Sequence, residues 1–347
     1  MKYPKFKVCV RCLTYNQSKY ITDTLNGFCM QKTKFPFVCC IIDDASKDGE
    51  QEIISTYIKE NFLYDSELIE LFETDSAKII YTQHKENSNC FITAVFLKKN
   101  LYHIPGGDEK KRAIIDPWFK MSEYVALCEG DDYWIDETKL QKQVDILDSN
   151  SNISLVYTDY LTVDEEGRKI DRIQYKKLKA KSKSGSCLRP LLTGNFIMTL
   201  TTCFRKEVLN KTYKQAPYAL DYAFLLNASL LGDFSYVDMV TGAYRKVGSS
   251  LMNANLSVVK KKSKEVHDYF VIEYLKRFRH TQSGFNRFLL ENEILINALF
   301  LYFKRIDTSL IIRILKTAPQ LTLSLPIAIV QGLIGRYIYK KNYLVGL

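Results

Sequence analysis

The residues best suited to chemistry lie in two acidic stretches. Ala126 to Trp134 reads Ala-Leu-Cys-Glu-Gly-Asp-Asp-Tyr-Trp, so an apolar run, Tyr124 to Cys128, ends in Glu129, Asp131 and Asp132 around Gly130. Carboxylates this close repel one another unless a cation or a partner neutralises them. A divalent metal with oxygen ligands would do so, and Mg²⁺ takes one or two carboxylates together with substrate phosphates. The same acids would also suit a surface turn ahead of a helix, where they favour the positive end of the dipole. The second stretch, Phe37 to Ile42, is likewise apolar and ends in Asp43 and Asp44.

These acids need elements to carry them. Phe6 to Thr14, Phe37 to Ile42, Lys78 to Thr82 and Tyr124 to Cys128 read as buried strands. Between them, Ile21, Leu25 and Phe28, with Ser18 as N-cap, and Ile53, Ile54, Tyr57 and Ile58 recur at helical spacing; Leu140, Val144 and Leu147 do so after the acidic motif. Phe91 to Leu101 fits a helix, and His103 to Lys120, with Pro105, Gly106 and Gly107, fits an exposed loop or insertion. Strands alternating with helices imply right-handed β-α-β units and a mostly parallel sheet flanked by helices, an α/β fold. Ligands of such sheets bind outside the carboxyl ends of the strands, so both acidic stretches are expected on one rim.

Further on, Ser154 to Tyr160, Met198 to Phe204 and Phe234 to Val240 are strand-like, Glu166-Gly167 suits a hairpin turn, and Tyr218 to Leu231 is helical. Arg168 to Arg189 is basic and reads as a mobile loop. From Val258 long helical patterns rich in Lys and Arg lead to Thr317–Gly335, an uncharged run near membrane-spanning length but interrupted by Pro319 and Pro326. The expected organisation is a catalytic domain over 1–250 and a helical, basic and apolar extension over 251–347. That extension fits a peripheral helix on an anionic inner leaflet, a helical appendage packed on the core, or a dimer interface.

Composition limits the alternatives. The 347 residues are 46% hydrophobic and 25% charged, which is globular, and the net charge of +10 suggests an anionic partner. The charge is dispersed and acids line the presumed cleft, so nucleic acid is not the expected partner. Nine cysteines, an odd number set mostly in apolar runs, suit a reducing, cytoplasmic setting. Cys9 and Cys12 form a lone C-x-x-C whose members would face opposite sides of a strand. The four histidines show no ligand spacing, and Met1-Lys2-Tyr3-Pro4 carries no secretory signal.

At Thr14-Tyr15-Asn16, Ile42 to Gly49 and Glu129 to Trp134, then Lys139 to Asp148, Gly194 to Ile197, Thr201 to Lys206 and Tyr244-Arg245, the sequence resembles family-2 glycosyltransferases over about residues 5 to 250. The nearest look is of bacterial enzymes of surface-polysaccharide biosynthesis. The resemblance implies a GT-A fold and an inverting, metal-dependent transfer from a nucleotide-sugar donor, a UDP-sugar first, to a glycan or lipid-linked acceptor. It implies that Tyr15 and Asn16 line the nucleoside pocket and that Asp44, with Asp43 beside it, binds base or ribose. Asp132 and Asp131 would hold Mg²⁺ or Mn²⁺ against the diphosphate, with Asp131 also on the donor side. Asp221 stands where the family has its general base. Glu129, Trp134, Asn195 and Arg245 are candidates for acceptor or phosphate contacts. Val247 replaces a histidine found in many relatives, which keeps open a non-catalytic sugar-nucleotide-binding role. A sugar nucleotidyltransferase would need a Gly-rich phosphate loop, and Tyr15-Asn16-Gln17-Ser18 is not one.

Overall fold

The structure is a computed structural model that describes residues 4–64, 69–102, 104–170, 183–192, 195–210, 220–248, 268–269, 271–272, 276, 284–300 and 308–333. The chain forms two compact units, one of residues 1–172, 197–207 and 235–248, the other of 173–196, 208–234 and 249–347.

Ten strands form one sheet: β1 Val8–Thr14, β2 Phe37–Asp43, β3 Glu70–Glu73, β4 Ala77–Gln83, β5 Cys90–Leu97, β6 Tyr124–Leu127, β7 Tyr133–Trp134, β8 Ile153–Val163, β9 Cys203–Arg205 and β10 Asp233–Arg245. Their order is β3-β4-β5-β2-β1-β6-β9-β8-β10-β7. The centre is parallel, with β5, β2, β1 and β6 running together, and antiparallel strands extend it on both sides. The sheet is therefore mixed, with the parallel block where the chemistry-bearing strands lie.

Strands buried on both faces carry unbroken apolar runs. All seven residues of β2 are buried. On β1, Val8, Val10 and Cys12 enter one hydrophobic cluster with Ile21, Leu25, Phe28 and Ile54, whereas Cys9 enters another with Ile115 and Trp118. Cys9 and Cys12 thus point apart, and all nine cysteines are free thiols.

The flanking helices of this unit are α1 Ile21–Cys29, α2 Glu50–Asn61, α3 Gly107–Met121 and α4 Lys139–Ser149. Helix α1 lies close against β7: a Cβ on Gly27 would come within 2.8 Å of the Trp134 nitrogen. Three local expectations are corrected. Phe91 to Leu101 is not a helix; Cys-Phe-Ile-Thr-Ala-Val-Phe-Leu forms β5, its β-branched and aromatic residues suiting a strand buried between neighbours. The expected loop over 103–120 contains α3, entered through Gly106 at φ +72°; His103 lies outside the described residues. Ser18 does not cap α1, whose N-cap position is Tyr20 without a side-chain bond.

Among the described residues, further helices in chain order are α5 Leu188–Leu192, α6 Glu207–Asn210, α7 Leu220–Leu231, α8 Gly284–Phe300, α9 Thr308–Thr317 and α10 Leu325–Leu333, with a 3₁₀ turn at Pro319–Ser324. In the second unit, Tyr222 on α7 donates its hydroxyl to the Leu191 carbonyl at 2.5 Å, and α8, α10 and the 3₁₀ turn pack together. Pro319 and Pro326 sit in the first turns of the 3₁₀ segment and α10, where a missing N–H costs nothing, and so divide the apolar run into short pieces. Among the described residues no helix is long and apolar enough to cross a membrane. Most of the basic loop over 168–189 lies outside the described residues.

Candidate functional site

Three adjacent parallel strands end together. Thr14 pairs with Asp43 at the ends of β1 and β2, and Cys128 and Gly130 donate to the carbonyls of Arg11 and Leu13, extending β6 along β1. The two acidic stretches therefore share the carboxyl rim of the sheet, as expected.

The loops leaving β1 and β2 interlock. Asn16 and Ala45 hold left-handed φ values of 54° and 62°, a strain that the surrounding bonds must hold in place. The Asn16 amide donates to Ser46 Oγ at 2.9 Å, the Lys47 amide donates to Asn16 Oδ1 at 2.9 Å, and the Ser18 amide donates to Asp48 Oδ2 at 2.9 Å. Glu50, the first residue of α2 and fully buried, accepts from the Gln17 amide at 2.9 Å, from Ser46 Oγ at 2.8 Å and from the Thr14 hydroxyl. Burial pushes its carboxyl up from the usual range, and these bonds pull it back. Asn16 thus serves the loop, whereas the Tyr15 ring stays 44% exposed.

The two aspartates after Ile42 separate sharply. Asp44 is buried in an ion pair with Lys111 of α3, 2.5 Å away, and also accepts from the Leu101 amide at 2.7 Å. Asp43 accepts through Oδ1 from the Ser46 amide at 3.0 Å and from Gln51. Its Oδ2 is buried with no hydrogen-bond partner among the described residues. A buried carboxylate oxygen left unpaired carries a large desolvation cost, so Asp43 Oδ2 has bonding capacity to offer a ligand.

The acidic turn is built as closely. Glu129 Oε2 accepts from the Leu13 amide at 3.1 Å. A Cβ on Gly130 would fall 2.2 Å from Thr14 Oγ1 and 2.5 Å from Gln17 Oε1, so only glycine lets the turn approach the β1 loop. Thr24 of α1 donates to both the Gly130 and Asp132 carbonyls, at 3.0 and 2.7 Å. Asp132 is buried and takes the Arg245 amide on Oδ1 at 2.8 Å. Burial, then the neighbouring Asp131, push the Asp132 carboxyl well above the usual range; burial also raises Asp131, against the pull of Arg245 and Gln17.

Two candidates are spent on the scaffold. The Arg245 guanidinium donates to the Asp131 carbonyl at 3.1 Å, to the Glu165 carbonyl at 2.8 Å and to Asp23 at 2.6 Å, and it stacks between Tyr20 and Tyr133. Trp134 is 1% exposed, meets Phe28 edge-on at 4.9 Å and donates to the Leu200 carbonyl at 2.9 Å. Both hold the turn in place. In the second unit, Asn195 is half-buried and Asp221 is the second residue of α7; the Asp221 side chain lies outside what the structure describes.

Gln17, Thr24, Glu50, Lys111 and Glu165 escape a reading by sequence. Glu50 carried a usable signal, an acid directly after Gly49 at a helix start; the others are ordinary polar residues until the fold brings them to the rim. Asp131 and Asp132 offer hard oxygen donors that suit Mg²⁺ or Mn²⁺, and a cation would relieve the charge that burial penalises in both. Among the described residues no group of three His, Cys, Asp or Glu converges on a metal position.

Residues 10–88 match the model of glycosyl transferase family 2. Uncharacterized proteins of Mycobacterium tuberculosis and Mycobacterium bovis are each 27% identical over 234 residues, which is 67% of this chain and 57% of theirs. The chain thus spans little more than half the length of the curated relatives it matches. Among solved structures, S. aureus TarS 1–349 in complex with UDP-GlcNAc superposes with a TM-score of 0.51 at 19% identity, over 97% of this chain and 93% of that one. The complex of the same segment with UDP gives 0.51 and 19%, over 87% and 73%. These similarities establish the shared fold.

Proposed function

We propose that this chain, a family-2 glycosyltransferase by its matched segment and its GT-A fold, transfers a sugar from a nucleotide donor to a hydroxyl of a glycan or lipid-linked acceptor, with inversion, in bacterial polysaccharide synthesis on the cytoplasmic side of the membrane. The observation that carries the reading is Asp43 Oδ2, a buried carboxylate oxygen without a partner among the described residues at the rim shared with Asp131 and Asp132. An N–H of a nucleobase or a ribose hydroxyl supplies the missing donor, and the exposed Tyr15 ring offers a face to the base. UDP is the first nucleotide to test, because TarS is described in complex with UDP and UDP-GlcNAc.

Asp131 and Asp132 would hold Mg²⁺ or Mn²⁺, which neutralises charge on the departing diphosphate when bound. The chain's own residues divide the rest. Asp43 and Tyr15 orient the nucleoside; Arg245, Thr24 and Glu165 hold the acidic turn rigid, as a preorganised site requires. The acceptor oxygen attacks the anomeric carbon, the bond to the diphosphate oxygen breaks with its electron pair leaving on that oxygen, and the hydroxyl proton passes to Asp221.

The test is a screen of nucleotide-sugar donors for nucleoside diphosphate release, with and without Mn²⁺ and Mg²⁺, using membrane extract as acceptor. UDP-sugar turnover that needs the metal supports the reading. Asp43→Asn should weaken UDP binding by about 10- to 100-fold, the worth of a hydrogen bond to a charged group. Metal-independent turnover, or donor binding untouched in Asp43→Asn, removes the corresponding assignment.

A further inference from the structure

Apolar side chains are left in solvent along the C-terminal part of the second unit. On α9, Ile312 is 51% exposed; in the 3₁₀ turn Leu323 is 84% exposed; on α10, Ile327, Ile329 and Val330 are exposed too, Val330 at 55%. Lone exposed hydrophobics need no account, but five within 19 consecutive residues are a concentration that does. Their neighbours explain why these side chains are not simply a poor core. Leu310, Ile314, Ala318, Leu321 and Ala328 in the same segment are buried, so the segment already has its inward side chains, and the five in solvent are additional to them.

Charge identifies the occupant. From Thr308 to Leu347 the sequence carries Arg313, Lys316, Arg336, Lys340 and Lys341 and no Asp or Glu. Arg313 and Lys316 are themselves exposed on α9, beside Ile312. A second copy of this chain would have to bring the same basic segment against itself or lose the benefit of the charge. An anionic phospholipid surface accepts both features at once: apolar side chains enter the boundary between headgroups and acyl chains, and the cations stay among the phosphates. The short helices, cut by Pro319 and Pro326, suit lying in that boundary and not crossing it.

We propose that α9, the 3₁₀ turn and α10 form a surface that docks on an anionic bilayer, with Leu323, Ile327 and Val330 as the inserted side chains and Arg313 and Lys316 as the phosphate contacts. The proposal is independent of the transfer chemistry, because none of these residues belongs to the rim.

The experiment is co-sedimentation of the full-length protein with vesicles of phosphatidylcholine alone and with 30% phosphatidylglycerol (about that fraction, for a strongly negative surface). The expected result is binding to the anionic vesicles, at least about fivefold weaker to neutral ones and weakened again at 1 M salt, where the screening length falls to about 3 Å. The triple variant Leu323→Ser, Ile327→Ser, Val330→Ser should lose most of the binding. Arg313→Gln with Lys316→Gln, which leaves the apolar side chains intact, should lose several-fold and become less sensitive to salt than the wild type, with Arg336, Lys340 and Lys341 still in place. Circular dichroism melting of each variant confirms that it folds. Equal sedimentation with both vesicle types, or none with either, overturns the proposal. So does a wild-type dimer, seen by light scattering, that the triple variant converts to monomer.

Discussion

Lys111 and Asp44, 67 residues apart, close a buried ion pair of 2.5 Å that ties α3 to the end of β2. The Leu101 amide donates to the other carboxylate oxygen and the Asn100 side chain to the Asp44 backbone carbonyl, so this one residue fixes the strand end, the turn after β5 and the helix. Lys111→Met leaves a buried carboxylate without its cation, which costs about 3–5 kcal/mol when one partner of such a pair is removed. Thermal melting should show a fall of several degrees, and Lys111→Met with Asp44→Asn should regain part of it. A single variant that melts like the wild type would show that the pair contributes nothing to the fold.

Gly130 marks the closest approach of the acidic turn to the β1 loop. In Gly130→Ala the new methyl meets Thr14 and Gln17, whose side chains are already committed to Glu50 and to the turn. Moving them costs about 1–3 kcal/mol, as overpacking does, and displaces Asp131 from Gln17. Stability should fall by that amount in denaturant titration, with weaker nucleotide binding in isothermal calorimetry. Unchanged binding would mean that the turn tolerates a shift without consequence for the ligand.

The rim was readable from sequence because it is made of backbone regularities. Apolar runs ending in acids, with helical spacing between them, place β1, β2 and β6 side by side whatever the side chains then do. The family-2 likeness read at Tyr15 to Gly49 is borne out by the matched segment. Which aspartate is free was not readable. Asp43 and Asp44 are adjacent and chemically identical, and only the fold shows that Lys111, in a stretch that looked like a loop, captures one of them. Arg245 looked like a phosphate ligand for a similar reason: a cation beside acids has the same composition whether it meets a ligand or, as here, the Asp23 carboxylate and the backbone carbonyls of Asp131 and Glu165. β7, of two residues, is too short for any period to register, and β3, Glu-Leu-Phe-Glu and mostly exposed, carries no apolar run.

Lys139 gives the fold a pH dependence. Its ammonium is fully buried over the Trp134 ring at 4.3 Å and donates to Gln143 at 2.7 Å, and burial lowers its pKa from 10.5 to about 8. The folded protein therefore loses this proton before the unfolded chain does. Below pH 8 both states carry the charge and the burial cost is complete; above pH 10.5 both are neutral and the cost is gone. Between those limits wild-type stability should rise relative to Lys139→Met by about 3 kcal/mol, at ~1.4 kcal/mol for each pKa unit. Urea titrations of both proteins at pH 7, 9 and 10.5 measure the difference. A constant gap would mean that the Trp134 face and Gln143 fully compensate the buried charge.

Asp221 and Asp43 should fail in opposite ways if the proposed division of labour holds. A base that accepts the acceptor's proton acts during the transfer and contributes about 10²–10⁴-fold to its rate. Asp221→Asn, nearly the same in shape, should lower turnover by that factor while donor affinity stays within about twofold, since ground-state binding does not use the proton. Asp43→Asn should instead weaken the donor and lower turnover mainly at subsaturating concentrations. Nucleoside diphosphate release over a range of donor concentrations, with direct calorimetric binding of UDP, separates the two patterns. Should Asp221→Asn turn over normally, the proton goes elsewhere; should it lose donor binding as Asp43→Asn does, Asp221 acts in donor binding or in the fold and not as the base.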